Sequence, residues 1–224
     1  MDRENASVPV CLDRRVPTPE EITRHHRPTP VTYVGAHSTT YSLRIEEHDP
    51  YWALRYSTLE AEIRANLGTR VQSIQHVGST SVPGLPAKPI IDIDLSVQDP
   101  VDEAAYAAEL EALGYVHWLT EPDWHEHRLF KRLDEPRVHL HVFAPDCPEI
   151  IRHQMFRDWL LAHPEDRERY AAAKRAAADE LRATGDDQGA MGFGMRYNAV
   201  KEPIVHEIYQ RMFVAAGLLG ASED

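Results

Sequence analysis

Residues 76–94 read His76-Val-Gly-Ser-Thr-Ser-Val-Pro-Gly-Leu-Pro-Ala-Lys-Pro-Ile-Ile-Asp-Ile-Asp94. From Pro89 to Val97 the composition is that of a buried β-strand broken by two acids. Side chains alternate along a strand, so Asp92 and Asp94 leave one face while Ile91, Ile93 and Leu95 fill the other. Two carboxylates held side by side repel each other, and a bound cation relieves that repulsion. A hard divalent ion, Mg²⁺ or Mn²⁺, prefers such oxygens and shares its remaining positions with water and phosphate. Just upstream, Gly78-Ser79-Thr80-Ser81 follows a β-branched segment, and a glycine there lets small hydroxyls and backbone N–H groups come close to a phosphate. Pro83, Gly84, Pro86 and Pro89 stiffen the return, and Lys88 brings an ammonium to the same place.

Outward from this stretch, Val71 to Val77 reads as a strand, as do Tyr115 to Trp118, Arg128 to Leu133 and Val138 to Phe143, with a helix expected over Val101 to Leu113. Upstream, Tyr41, Leu43 and Ile45 alternate as in a strand. Asp49-Pro50 then opens a helix whose Trp52, Leu54, Leu59, Ile63 and Leu67 keep helical spacing until Gly68. Downstream, Glu149 to Ala162, Pro164 to Ala183 and Arg196 to Ala216 read as helices, separated in the last case by a Gly-rich stretch, Gly185 to Gly194. The fold class expected is therefore α+β (α/β), a small mixed β-sheet flanked by helices with a helical C-terminal region. Residues 1–38 carry five prolines and one short helical start at Thr18-Pro19-Glu20-Glu21, and read as a partly irregular N-terminal arm. The folded domain is expected over 39–218 and a disordered tail over 219–224.

With 24 Lys and Arg against 36 Asp and Glu, the chain has a formal charge of -12, which opposes binding to a polyphosphate backbone and argues against nucleic acid as a partner. No apolar run is long enough to span a membrane, and the charged N-terminus does not read as a secretory signal. A cytoplasmic protein is expected, with Cys11 and Cys147 as reduced thiols without a role.

The combination of Gly78-Ser79 with Asp92-x-Asp94 resembles the DNA polymerase beta-like nucleotidyltransferase superfamily, and HVGSTSVPGLPAKPIIDIDL resembles the signature of the GrpB family within it. The likeness continues through His139-Leu-His141-Val-Phe, Phe156-Arg157-Asp158-Trp159-Leu160, His163-Pro164, Tyr170, Lys174, Tyr197 and Lys201. The resemblance implies a nucleotidyltransferase-like fold in which Asp92 and Asp94 bind Mg²⁺ (or Mn²⁺), and Gly78, Ser79, Thr80, Ser81, Lys88 and Lys131 hold the phosphates of a nucleoside triphosphate. It implies transfer of a nucleoside monophosphate to a small-molecule acceptor. The superfamily also has a third carboxylate on a later strand, where this chain has His139 and His141, facing one way with no acid between them. His141, or else His139, is then the base for the acceptor's proton, with Asp123, Glu126 and Asp134 as acids from nearby loops. Arg128 and Arg132 share a face with Phe130, opposite to Lys131, and Tyr197 and Lys201 lie on one face of the last helix. His25-His26 and His125-x-His127 read as surface histidines. Two other functions fit the same residues: a non-catalytic nucleotide- or coenzyme-binding module, and an accessory folding domain of the kind the family fuses to dephospho-coenzyme A kinase.

Overall fold

The computed structural model describes residues 15–25, 29–35, 44–184 and 192–220, the last stretch with side chains from 196 onward. Tyr41, Leu43, His26, Cys11, most of the Gly185–Gly194 stretch and the end of the tail lie outside the described residues. The elements run α1 (Pro19–Thr23), β1 (Thr32–Tyr33), α2 (Tyr51–Leu67), β2 (Ser73–Val77), β3 (Ile90–Ser96), α3 (Ala107–Ala112), β4 (Val116–Glu121), β5 (His127–Arg132), β6 (Arg137–Phe143), α4 (Pro148–Ala162), α5 (Pro164–Thr184) and α6 (Gly192–Ala215). The strands form one mixed sheet in the order β1-β4-β5-β6-β3-β2, antiparallel except for the central β3–β6 pair. This is the α+β arrangement with a mixed sheet that the apolar pattern implies. Among the described residues no helix is long and apolar enough to cross a membrane.

The period-2 pattern of β3 divides the molecule. Ile91, Ile93 and Leu95 pack with Val138, Leu140 and Val142 of β6 and with Trp52, Leu59, Ile63 and Leu67 of α2, all buried. Each such side chain contributes about 1.5–3 kcal/mol by leaving water, so this face fixes the strand register. A slip of one residue would drive Asp92 and Asp94 into that core. The opposite face carries the polar rows and is covered by the C-terminal helices. There Phe156 and Tyr170 belong to a second cluster with Val82, Leu85, Leu160, Ala171 and Ile208.

Local chemistry sets the ends. The Asp49 carboxylate accepts the N–H of Tyr51 at 2.9 Å to start α2, and Pro148 opens α4 at a position where its missing N–H costs nothing. The helix expected over Val101 to Leu113 is broken: a single tight turn, Glu103–Ala105, precedes the six-residue α3. The break falls at Tyr106, whose φ of -149° is not helical and whose hydroxyl donates to the Pro100 carbonyl at 2.7 Å, while Glu103 accepts a hydrogen bond at 2.9 Å from Arg128 Nε on β5. Of the strand expected over Tyr41 to Ile45 only Arg44 and Ile45 are described, and the next residue, Glu46, forms an isolated bridge with Ala87.

Candidate functional site

Register brings the expected residues into rows. Asp92 stands beside His139, which stands beside Lys131, and Asp94 stands beside His141 and then Leu129, all on the face away from the main core. At the edge of this wall β2 turns into the Gly78–Ser81 segment. Gly78 has φ +66°, and a Cβ there would lie 2.3 Å from Asp92 Oδ2, so only glycine lets the turn close over this carboxylate. Gly78→Ala is expected to cost at least about 1–2 kcal/mol from the left-handed backbone alone, with a further loss as Asp92 is displaced; urea denaturation reads it, and an unchanged midpoint would refute the close approach.

The hydroxyls of the turn divide their work. Thr80 is buried, donates from Oγ1 to the Ile90 carbonyl at 3.2 Å, and lies 3.0 Å from His76 Nε2. Because the Thr80 proton is committed to Ile90, His76 Nε2 is the donor to Thr80. Ser81 donates to the Gly78 carbonyl at 2.6 Å. Thr80 and Ser81 therefore brace the turn with their side chains, and Thr80 also lines the cavity. The Ser79 side chain makes no hydrogen bond among the described residues and lines the cavity.

That cavity encloses about 450 Å³ between the sheet wall and the last two helices. Gly78, Ser79, Lys88, Asp92, His139 and His141 line one side, while His153, Lys174, Tyr197, Asn198 and Lys201 line the rest. Lys131 shares the row of Asp92 but does not reach the cavity; its ammonium lies 4.1 Å above the ring of Trp118, and burial pulls it down to about 8. Arg128 and Arg132 face the other way, toward Glu103 and Glu62.

Three lysines converge here. Lys88 lies 4.3 Å over the Tyr197 ring, Lys201 donates to the Tyr170 hydroxyl at 3.4 Å, and Lys174 lies 5.2 Å from the centre of the Tyr170 ring. Lys174 is 2% exposed and its ammonium has no hydrogen-bond partner among the described residues. Burial, and then Lys201, pull Lys88 down to about 8, and the same causes hold Lys174 well below the ordinary lysine value. Three cations pressed together with one unpaired are costly without an anion between them.

The two acids differ. Asp92 faces the cavity with 29% of its side chain exposed, its Oδ1 3.3 Å from His139 Nδ1. Burial pushes its pKa up, but the His139 bond and the neighbouring histidines bring it below the usual value. Asp94 is fully enclosed, with His153 Nδ1 of α4 at 3.1 Å and 2.9 Å from its two oxygens. His153 Nε2 faces Glu149 at 3.2 Å. Both ring nitrogens thus meet carboxylates, which makes His153 an imidazolium: burial lowers its pKa, but Asp94 and Glu149 carry it well above the ordinary value. Burial also raises Glu149, and His153 and Arg152 bring it down to about 2. Although both acids leave one face of β3, only Asp92 opens into the cavity; among the described residues no three acids, histidines or cysteines are grouped around one point as metal ligands.

None of the loop acids Asp123, Glu126 and Asp134 lines the cavity, and Glu126 pairs with Arg128. A different acid, Glu149 in the first turn of α4, stands behind His153. Neither residue stood out in the sequence, because a Glu and a His four apart on a helix are ordinary surface composition. Lys174 stands out in the sequence only within the family likeness, and Asn198 has no signal there. His127, read as a loop histidine, is buried in β5 and bonded to Glu121 and His141. His25 lies against His206, with ring centres 4.3 Å apart.

The family model described as GrpB protein matches residues 42–211. A UPF0157 protein of Halalkalibacterium halodurans is 44% identical over 171 residues, which cover 76% of this chain and 82% of that one. The dephospho-CoA kinase of Mycolicibacterium paratuberculosis is 30% identical over 195 residues, 75% of this chain but only 46% of the kinase. A crystal structure of the conserved protein GrpB from Enterococcus faecalis shares the fold, with TM-score 0.63 and 24% identity over 78% of this chain and 99% of that one. Since the matched span contains the Gly78 turn, β3, β6 and the lysines of α5 and α6, and the bacterial relative follows it over most of both chains, this chain belongs to the GrpB family.

Proposed function

We propose that this chain binds the triphosphate of a nucleoside triphosphate in the cavity and transfers the nucleoside monophosphate to a small-molecule acceptor. The observation that carries this reading is the unpartnered, buried ammonium of Lys174 beside Lys88 and Lys201, opposite the carboxylate of Asp92. Three lysines and one carboxylate around a single cavity match a polyanion that brings a cation with it. The resemblance of the Gly78-Ser79 and Asp92-x-Asp94 pattern to the polymerase beta-like superfamily supports the same reading.

Asp92 and Asp94 are the residues that would hold Mg²⁺ or Mn²⁺. Carboxylate oxygens are the donors such an ion takes, but Asp94 is turned to His153 in this structure; a bound metal would have to replace His153 as its counter-charge, and would then offset charge on the phosphates. The remaining roles belong to the chain itself. Lys88, Lys174 and Lys201 hold the outer phosphates, the Ser79 hydroxyl donates to a phosphate oxygen, and His141 or His139 accepts the proton of the acceptor.

The locked Asp94 favours a second reading, a nucleotide- or coenzyme-binding module without transfer, to which the likeness to a protein named dephospho-CoA kinase also points. Calorimetric titration of the four nucleoside triphosphates, with and without Mg²⁺, tests the site, and pyrophosphate release in an acceptor screen separates the two readings. Mg²⁺-dependent binding that Asp92→Asn abolishes, followed by pyrophosphate release, supports the transferase. The same binding without release supports the module, and no binding by any triphosphate overturns both.

A further inference from the structure

Behind His141 lies a chain of polar groups that the cavity itself does not use. Glu121 Oε2 at the end of β4 is 2.7 Å from His127 Nδ1, and His127 Nε2 is 3.0 Å from His141 Nδ1. His127 is 5% exposed, and its ring stacks on those of His141 and Phe143, with centres 5.1 Å and 4.8 Å away, so it cannot turn to another partner without breaking this packing. The register makes the alignment: Glu121 pairs with His127 across β4–β5, and Leu129 pairs with His141 across β5–β6.

We propose that Glu121 and His127 are positioning residues that fix the proton of His141 on Nδ1, leaving Nε2 as an open lone pair toward the cavity, and that the acceptor is therefore a hydroxyl compound. A carboxylate at Glu121 can only accept, so His127 Nδ1 carries a proton and donates it. A neutral His127 then accepts at Nε2, and His141 Nδ1 must donate. The alternative, a doubly protonated His127, would add an imidazolium near that of His153 in a site that already holds three lysines; the ring centres of His141 and His153 are 6.1 Å apart. Burial and then His127 keep His141 itself neutral. Its Nε2 makes no hydrogen bond among the described residues, and His141 lines the cavity. His139 Nδ1 likewise faces a carboxylate, but that carboxylate is Asp92, which the proposed reading gives to the metal, so His139 has no partner reserved for holding its tautomer.

The base role rests on the proposed transfer. In that step the acceptor O–H bond breaks and its proton goes to His141 Nε2. The oxygen pair forms a bond to the α-phosphorus, and the bond to pyrophosphate breaks with its electron pair on the leaving oxygen. The imidazolium so formed is stabilised through His127 by the Glu121 carboxylate. A carboxylate acceptor would need no such base, whereas a hydroxyl does.

The tautomer can be read directly by ¹⁵N–¹H correlation spectroscopy of the ¹⁵N-histidine-labelled full chain near pH 8. The expected result is His141 with an unprotonated Nε2 and a protonated Nδ1 in the wild type. In His127→Phe the proton is expected to move toward Nε2. Because that core change can impair folding, Glu121→Gln serves as the second variant and should loosen the tautomer of His127. A wild-type His141 protonated at Nε2, or a tautomer that both folded variants leave unmoved, overturns the relay and the hydroxyl assignment. Triphosphate binding by calorimetry is measured on the same samples: its absence sinks the transferase reading while leaving the relay to stand or fall on the spectra alone.

Discussion

Lys174→Met is expected to weaken binding of a nucleoside triphosphate by about 10- to 100-fold, the worth of one charge-assisted phosphate contact of roughly 1.5–3 kcal/mol, while making the ligand-free protein more stable. The two effects have opposite signs for one reason. In the free protein the ammonium is buried, unpaired, and repelled by Lys201 and Lys88, so exchanging it for a thioether of similar length removes a desolvation cost of about 1–3 kcal/mol. In the complex the same group meets phosphate, and its loss is felt in full. Lys88, held near 8, gives a second signature. An anion draws protons onto both lysines, so binding takes up protons and weakens as the pH rises through about 8. Calorimetry in two buffers of different ionisation enthalpy measures the uptake, and urea denaturation measures the stability. A variant that is less stable when free and binds ATP like the wild type would show Lys174 to be a packing residue.

The second large effect belongs to His153. His153→Leu removes the cation between Asp94 and Glu149, both about nine-tenths or more enclosed, and a buried charge stripped of its partner costs about 3–5 kcal/mol. At roughly 2–4 °C per kcal/mol for a chain of this size, the melting temperature should fall by about 6–20 °C. If Asp94 is part of a divalent-ion site, Mg²⁺ or Mn²⁺ should restore more stability to this variant than it adds to the wild type, by about 2.7 kcal/mol at a hundredfold excess over Kd. Adding Asp94→Asn to His153→Leu should recover part of the loss and abolish the metal effect, since neither charge then remains to be paired. Equal stabilisation of wild type and variant by the ion would remove Asp94 from any metal site, and an unchanged melting temperature would mean the ion pair does not hold α4 to the sheet.

These two residues mark where the sequence stopped being informative. Strand β3 was legible because two acids at even spacing inside IIDIDL leave few other structures that bury the isoleucines, and the Gly78 turn because a glycine before small hydroxyls has few uses. The helices α4, α5 and α6 followed from apolar spacing alone. The short α3 was not legible, because the break before it falls at Tyr106, whose ring is buried in the main core by residues distant in the chain. Nor were His153 and Glu149: their roles exist only where the start of α4 meets the polar face of β3.

By itself the sequence determined the two faces of the central strand, the placement of Asp92 beside the Gly78 turn, and membership of the GrpB family, because each depends on neighbours in the chain or on a pattern carried whole. Tertiary structure decided the rest. It enclosed Asp94 behind His153, turned Lys131 onto Trp118 and out of the cavity, buried Lys174 without a partner, and lined up Glu121, His127 and His141 across three strands. The physical reason is the same in each case. Charge, proton position and pKa are set by the nearest groups in space, and at this site those groups come from different elements, His153 and Asp94 being 59 positions apart in the chain.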